Sequence, residues 1–136
     1  MKKFNVIIVY NKEENKILMC KREKEPYKGK FNLVGGKVEH NENELHAAYR
    51  ELQEETGITN NEIKLVHIMN FQYKISDMEL EVYVGKLNKN MHLVEEVNKL
   101  YWIDTEENFF DMEKFAGEGN IGHMLKQVEI CKNKLF

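Results

Sequence analysis

Three glutamates, Glu51, Glu54 and Glu55, lie within a short stretch near the middle of the chain. Glu51 and Glu55 are one helical turn apart, so in a helix their carboxylates share one face, with Glu54 beside them. Carboxylates crowded in this way repel one another unless a cation lies between them. Because Mg²⁺ prefers carboxylate and other oxygen ligands, the spacing predicts a divalent-cation site. The alternative is a solvated acidic helix face with no further role.

Two other features flank these glutamates. Gly35-Gly36 predicts a sharp turn before the helix, because glycine tolerates positive φ and lets the backbone approach a ligand closely. A plain tight turn is the alternative. Arg50 lies four residues before Glu54, at the spacing of a charged pair on a helix, and Glu42 precedes the helix within reach of the guanidinium. We interpret Arg50 and Glu42 as a scaffold that aims the glutamates.

The element that must position these groups is a helix beginning at residue 42 or 43 and ending at Thr56. Asn41 followed by Glu44 predicts a capping box at its start. Gly57 predicts its C-terminal stop. At 100° per residue, the acidic face lies opposite an apolar stripe that should face the core. This stripe consists of Leu45, Ala48 and Leu52.

The remaining pattern predicts strands and a second helix. The segment 106–115 is expected to be part helix and part loop, and helical spacing from Ile121 onward predicts a C-terminal amphipathic helix. The first two strands should form a hairpin. Strands mixed with two main helices predict an α/β (α+β) fold, a sheet between helices, in one domain over 1–136. The expected strands are Phe4–Tyr10, Lys16–Arg22, Phe31–Val34, Ile63–Tyr73, Glu79–Lys86 and Leu100–Asp104.

Composition excludes several classes of function. The net charge of −3 gives no basic field to attract a nucleic acid polymer. The apolar run at the N-terminus is too short for a signal peptide or a membrane span. Cys20 and Cys131 fit neither a disulfide framework nor a redox motif, so both are expected to be buried apolar residues in a cytoplasmic protein. The chain has no GxxxxGK[ST] motif, which argues against a P-loop enzyme.

Residues 36–58 resemble the signature of the Nudix hydrolases, the MutT-like pyrophosphohydrolases, at all nine of its defining positions. The resemblance implies an α/β/α sandwich with a mixed β-sheet between helices. It also implies Mg²⁺-dependent hydrolysis, with Mn²⁺ as an alternative ion, of a nucleoside diphosphate linked to a further group X. The nine positions are Gly36, Glu42, Arg50, Glu51, Leu52, Glu54, Glu55, Gly57 and Ile58.

The resemblance also implies roles for individual residues. Glu51 is our first choice for the general base, and Glu51, Glu54 and Arg50 form the catalytic group. A carbonyl of the glycine turn joins the metal ligands, as does a carboxylate from a loop before a late strand, for which Glu96 has better spacing than Glu95. The predicted metal ligands are therefore Gly36 (or Gly35), Glu51, Glu54, Glu55 and Glu96. Basic residues at a strand end, Lys21 and Arg22, are predicted to contact substrate phosphates, with ordinary strand-end charge as the alternative.

Two segments resemble the branch of the family that hydrolyses oxidised purine nucleoside triphosphates. Phe31-Asn32 precedes the glycines as an aromatic-Asn pair does there, although strand alternation would point the two side chains to opposite faces. Glu118 and Asn120 correspond to base-contacting residues before the last helix, whereas the alternative for Asn120 is a helix cap. An amide offers both a donor and an acceptor to a purine edge.

The favoured substrate is therefore an oxidised purine nucleoside triphosphate such as 8-oxo-dGTP, cleaved to the monophosphate and pyrophosphate. The first alternative is the same chemistry on ADP-ribose or a dinucleoside polyphosphate. The second is a non-catalytic Nudix domain that senses a nucleotide. In each case the partner is a small nucleotide, and the chain is a monomer or a homodimer without membrane association.

Overall fold

The computed structural model describes all 136 residues, with a six-stranded sheet and two helices. The α+β class predicted from the sequence is confirmed. No helix has the length and apolar character needed to cross a membrane. The helices are α1 (Glu44–Thr56) and α2 (Asn120–Leu135), and the strands are β1 (Lys2–Tyr10), β2 (Lys16–Lys21), β3 (Phe31–Asn32), β4 (Val66–Tyr73), β5 (Met78–Lys86) and β6 (Leu100–Asp104).

The sheet is mixed, with β1 at its centre. The strand order is β3-β2-β1-β5-β4, and β6 pairs with β2. Strands β1 and β5 are parallel along their whole length, whereas the other pairs are antiparallel. The predicted β1–β2 hairpin is confirmed by the pairing of Tyr10 with Ile17. Residues 34–38 run antiparallel beside β1, with bridges from Ile7 to Val34 and from Phe4 to Lys37.

Alternation along β1 divides the apolar interior into two cores. Ile7 and Val9 face α1 and pack with its Ala48 and Leu52. The intervening residues Ile8 and Tyr10 face α2 on the other side. Each helix therefore covers one face of the sheet, as the resemblance implied. The α2 side chains in this second core are Ile121, Met124, Leu125 and Val128.

The start of α1 differs from the prediction. The N-cap is Asn43, whose extended backbone lets its side-chain oxygen accept the His46 N–H at 3.1 Å. Asn41 instead has a positive φ of 63° in the preceding turn, so the predicted Asn41 capping box is wrong. The later start leaves Leu45 on the solvent side, 43 % exposed, and Ala47 takes the expected core position. The predicted stop at Gly57 is confirmed, with φ at 81°.

The segment 106–115 contains turns and no helix, contrary to the prediction. Side chains of three residues accept backbone N–H groups two positions further on, which favours successive turns over helix. These bonds join Asp104 to Glu106, Asn108 to Phe110 and Asp111 to Glu113. Three other predictions also need correction: the third strand ends at Asn32, the fourth begins at Val66, and Cys131 is exposed whereas Cys20 is buried.

Candidate active site

Arg50 organises the acidic face of α1. Its Nε and Nη2 atoms donate to the two carboxylate oxygens of Glu42 at 2.7 and 3.0 Å. Nη1 donates to Glu51 at 3.0 Å and to Glu54 at 3.2 Å, and Nη2 also donates to the Lys37 carbonyl at 3.0 Å. One planar guanidinium thus fixes two glutamates of the helix and the loop before it. The scaffold role predicted for Arg50 and Glu42 matches these contacts.

The turn at Gly35-Gly36 lies directly against the carboxylates of α1. The Gly35 N–H donates to Glu55 Oε2 at 2.7 Å. A Cβ atom placed on Gly36 would lie 2.4 Å from the Glu51 carboxyl group, so only glycine leaves room for that carboxylate. A Cβ on Gly35, whose φ is 150°, would lie 2.1 Å from the Asn5 carbonyl oxygen. Gly35 is therefore required by the close approach of the Asn5 backbone, whereas a side chain at Gly36 would displace the Glu51 carboxylate.

The two glycine carbonyls differ in their hydrogen bonds. The Gly36 oxygen accepts the Asn5 backbone N–H at 2.8 Å, as part of the pairing beside β1. The Gly35 oxygen accepts no hydrogen bond within the chain. Of the two backbone ligands considered from the sequence, Gly35 therefore has the freer oxygen. The choice of Gly36 as the metal ligand remains a prediction.

Burial and mutual repulsion raise proton affinity in this cluster. Burial, with smaller contributions from the charges of Glu51 and Glu54, raises the pKa of Glu55 to about 7, against the opposing Gly35 hydrogen bond. Burial also raises the pKa of Glu51, although Arg50 opposes the shift. Glu42 behaves in the opposite way, because its hydrogen bonds to Arg50 lower its pKa to about 2. The cluster therefore resists carrying all of its negative charges without a compensating cation.

These groups fit a divalent cation by their chemistry. Carboxylates of α1 and a free backbone carbonyl are the oxygen donors that Mg²⁺ prefers. However, no three His, Cys, Asp or Glu side chains converge into a closed ligand set. Arg50 holds Glu51 and Glu54, and the Gly35 N–H holds Glu55. The carboxylates that could bind a metal therefore lie together beside the Gly35-Gly36 turn, and each accepts a hydrogen bond from another group of the chain.

A cleft of about 390 Å³ opens beside the glycine turn and Glu55. The cleft lies at one end of the strands, between β1, the loop after β2 and the start of α2. Hydrogen bonds from the Phe31 N–H to the Lys114 carbonyl and from the Ala116 N–H to the Phe31 carbonyl, both 2.9 Å, hold its far wall beside β3. Its polar lining includes Asn5, Arg22, Tyr27, Asn32, Glu55, Tyr73, Asn98, Glu118 and Asn120.

A family model described as NUDIX domain matches residues 1–123, which include the glycine turn, α1 and most of the cleft. The chain belongs to the Nudix family. The Nudix box, residues 36–58, thus supplies both the turn and the acidic helix.

The proteins that are similar to this chain are named for several different activities. Over 46 residues, 34 % of this chain and 27 % of the other, the sequence is 50 % identical to an ADP-ribose pyrophosphatase from Methanocaldococcus jannaschii. An Ap4A hydrolase from C. elegans superposes with a TM-score of 0.76 over 97 % of this chain and 99 % of its own, at 19 % identity. A MutT/nudix family protein from Enterococcus faecalis has a TM-score of 0.66 over 79 % of this chain and 45 % of its own, at 23 % identity. The chain covers less than half of the archaeal and the enterococcal proteins, and the structural likenesses establish the Nudix fold alone.

The structure gathers four of the six predicted substrate-binding residues in the Nudix cleft: Arg22, Asn32, Glu118 and Asn120. The N-cap of α2 is Gly119, and no side chain caps this helix, so the alternative of Asn120 as a cap is wrong. The Asn120 side-chain N–H donates instead to the Tyr73 hydroxyl at 2.8 Å. Glu118 accepts a hydrogen bond from the Tyr27 hydroxyl across the mouth of the cleft.

The other predicted residues lie outside the lining of the cleft. Phe31 packs edge-on against Tyr101, with ring centroids 5.3 Å apart, and Lys21 lies 5.7 Å from the Phe31 ring. The expected alternation thus separates Phe31 from Asn32. Glu96 is exposed and makes no hydrogen bond or ion pair, whereas Glu95 accepts the Leu100 N–H at 2.7 Å. No hydrogen bond or ion pair joins Glu96 to the Nudix box.

The sequence analysis missed Asn5, Tyr27, Tyr73 and Asn98 as lining residues. The sequence did contain a signal for Asn5. Apart from the aromatic Tyr10, Asn5 is the only polar residue in the apolar run from Phe4 to Tyr10. A polar side chain in a buried strand must find a hydrogen-bond partner. The other three come together only through the tertiary fold, because they lie in separate loops and strands.

Replacing Glu42 with Gln should lower the stability of the chain near pH 7. Because the folded pKa of Glu42, about 2, lies below its ordinary value of 4.5, its ionised form favours folding above pH 4.5. That contribution is lost as the pH falls from 4.5 towards 2. Urea unfolding of the wild type and of Glu42→Gln across this range measures the effect. A stability difference that stays constant with pH would contradict the assigned pairing with Arg50.

Proposed function

We propose that this Nudix chain hydrolyses the pyrophosphate linkage of a small nucleotide, a nucleoside diphosphate linked to X. One observation carries the proposal: Glu55 and the glycine turn line the same cleft as Arg22 and the amides of Asn32 and Asn120. A carboxylate of the acidic helix face thus meets groups suited to a phosphate and to a base within one cavity.

The acidic groups of α1 are the proposed cation site. Glu51, Glu54 and Glu55 would hold Mg²⁺, together with a carbonyl of the glycine turn, for which Gly35 is the freer oxygen. Bound Mg²⁺ would neutralise phosphate oxygens and acidify a water molecule. Glu96, as a further ligand, and Mn²⁺, as a substitute ion, remain part of the proposal.

Glu51 is the proposed general base. One of its carboxylate oxygens accepts the Arg50 N–H at 3.0 Å, and the other accepts no hydrogen bond within the chain. The free oxygen is therefore open to take a proton from an attacking water. Positioned proton transfer of this kind typically contributes about 10²–10⁴ in rate. Arg50 fixes the orientation of the carboxylate while the proton moves.

The first proposed substrates are purine nucleoside triphosphates, and oxidised ones such as 8-oxo-dGTP in particular. The Asn32 side-chain oxygen, Oδ1, accepts the Leu33 N–H at 2.9 Å, which fixes the side-chain amide and leaves its two N–H donors without partners in the chain. Asn120 lies opposite and is held by Tyr73. Two oriented amides suit the mixed donors and acceptors of a purine edge. The products would be the monophosphate and pyrophosphate.

ADP-ribose is the second candidate substrate. The 50 % identity over 46 residues to an ADP-ribose pyrophosphatase favours it. The chemistry at the Nudix box would be the same, because both substrates contain a P–O–P linkage. Only the groups beyond the phosphates would differ. Dinucleoside polyphosphates are a further alternative, in which again only the groups beyond the phosphates would differ.

A nucleotide panel tests these proposals. The purified chain is incubated with Mg²⁺ and 8-oxo-dGTP, dGTP, ADP-ribose or a diadenosine polyphosphate, and phosphate products are quantified. Fastest release of pyrophosphate from 8-oxo-dGTP supports the first substrate, and fastest cleavage of ADP-ribose supports the second. No cleavage of any substrate, together with tight nucleotide binding, would favour a sensing role. Absence of Mg²⁺ or Mn²⁺ uptake in calorimetry would contradict the cation site.

Replacing Asn32 with Ala should weaken base discrimination more than catalysis. The variant removes N–H donors that face the cleft, so the preference for 8-oxo-dGTP over dGTP should fall about tenfold, while kcat for the preferred nucleotide changes by less. Ratios of kcat/KM for the two nucleotides measure this. Asn133→Ala, an exposed amide of α2, is the matched control. An unchanged ratio in Asn32→Ala would reject this base pocket.

A further inference from the structure

Asn5 contacts the glycine turn with both its backbone and its side chain. Its backbone N–H donates to the Gly36 carbonyl at 2.8 Å, and its side-chain oxygen accepts the Gly36 N–H at 2.9 Å. The Asn5 side chain is only 2 % exposed. Gly36 in turn lies against the carboxylate of Glu51. Asn5 is therefore the residue of the sheet that sets where the turn sits relative to α1.

Two buried side-chain atoms in the chain lack a hydrogen-bond partner, and they lie on neighbouring residues. They are Nδ2 of Asn5 and Oε2 of Glu81. Asn5 and Glu81 are register partners in the parallel pairing of β1 with β5. Paired residues of adjacent strands point to the same face of a sheet, so the two side chains lie side by side. One atom is a donor and the other is an acceptor, so each supplies what the other lacks.

Glu81 also reaches the start of α1. Glu81 is completely buried, and its Oε1 accepts the Tyr83 hydroxyl at 3.5 Å. Burial and the nearby Glu44 carboxyl group raise the pKa of Glu81 to about 7. Glu44 is the first residue of α1 and forms an ion pair with Lys3. Glu81 thus lies between the strand that holds the glycine turn and the helix that carries the box glutamates. A buried carboxyl group in such a place needs hydrogen-bond partners to offset its desolvation.

We propose that Asn5 and Glu81 form a buried positioning pair, joined through one enclosed water, that holds the Gly35-Gly36 turn against the carboxylates of α1. Neither residue touches the reacting phosphates through this pairing. Glu81 fixes the Asn5 amide, and Asn5 fixes the Gly36 N–H. The catalytic part of this role rests on the proposed hydrolase function.

The first test is the pair Glu81→Met and Glu81→Gln. Methionine fills the space of glutamate and offers Asn5 no oxygen, whereas glutamine keeps an acceptor for Asn5 and gains a donor for Glu44. We expect Glu81→Met to lower kcat about tenfold or more, with KM within about threefold, because small displacements of a catalytic group are costly. Glu81→Gln should remain close to the wild type. Glu79→Met, at a half-buried position two residues earlier on the same face of β5, is the matched control.

Hydrogen exchange of the Gly36 amide gives a readout that needs no activity. In Glu81→Met the Gly36 amide should exchange about tenfold faster than in the wild type. Without Glu81 to fix the Asn5 amide, the Asn5 side-chain oxygen no longer stays in position to accept the Gly36 N–H. The Ile7 amide, which donates to Val34 at 2.8 Å along the same edge, should keep its protection. A chain without hydrolytic activity would still show whether the pair holds the turn, so failure of the proposed function is distinguishable.

An exchange of donor and acceptor completes the test and covers the case in which Glu81→Met does not fold. Asn5→Asp keeps the acceptor for Gly36 and removes the donor, so it should lose kcat and Gly36 protection as Glu81→Met does. Combining it with Glu81→Gln restores one donor and one acceptor and should recover both quantities. Unchanged Gly36 exchange in the single variants, normal kcat despite lost protection, or no recovery in the double variant would each overturn the proposal.

Discussion

Glu54→Gln should reduce nucleotide hydrolysis by about 10²–10⁴-fold while leaving the fold intact. The substitution removes one charged oxygen donor from the proposed cation site and changes little else, because the Glu54 side chain is 59 % exposed. Arg50 keeps its bonds to Glu42 and Glu51. The loss should therefore be confined to kcat and to the Mg²⁺ concentration needed for half-maximal rate. Steady-state kinetics across a Mg²⁺ titration measures both.

Glu129→Gln is the matched control for this variant, because it removes one exposed negative charge from α2, away from the Nudix box. It should leave kcat unchanged. The unfolding free energy of Glu54→Gln should stay within about 0.5 kcal/mol of the wild type, as is usual for exposed positions. Near-normal turnover in Glu54→Gln would rule out the assignment of this carboxylate to the cation.

Arg50→Lys should impair both activity and stability. Lysine keeps the positive charge but cannot reproduce the two-pronged bond to Glu42 or reach several acceptors from one plane. We expect kcat/KM to fall about 10–100-fold, because Glu51 and Glu54 lose their common orienting group. We expect the unfolding free energy to fall by about 1–3 kcal/mol through the unpaired Glu42 and the lost bond to the Lys37 carbonyl.

The comparison for Arg50→Lys is Lys114→Met, which breaks the exposed ion pair with Glu107. An isolated surface pair contributes about 0–1 kcal/mol, so this variant should be nearly neutral in urea unfolding and in kinetics. If Arg50→Lys matched it in both measurements, charge alone would suffice at position 50. The planar network seen around the guanidinium would then have no catalytic importance.

The sequence predicted most of the fold because its strongest patterns are local. Short apolar segments placed β1, β2 and β5 within a few residues of their observed ends, and Gly57 ended α1 as expected. The errors arose where several polar residues competed for one role. Asn41 was the predicted cap, but the structure gives it a positive φ and places the cap at Asn43, a difference that only backbone geometry decides. In 106–115, side-chain bonds to the backbone replaced an expected helix.

The candidate site was predictable where its residues lie close together in sequence, and obscure where they do not. The spacing of the box placed Arg50 within reach of Glu42 and Glu54, and the structure shows those contacts and a further one to Glu51. The sequence could not rank the two glycine carbonyls, because their difference arises from a bond to Asn5, thirty-one positions earlier. It also gave no sign that Glu81 lies next to Asn5, since this depends on strand register.

Because β1 lies parallel to β5, one edge of β1 stays unpaired during synthesis until a strand is made that begins only at Met78, although β2 pairs with its other edge early. The far wall of the cleft is made later still, at residues 116–124. A growing chain on the ribosome therefore has the complete Nudix box well before it has a pocket. Nucleotide binding should appear only after translation has passed position 124, with a delay typical of topologies rich in distant contacts.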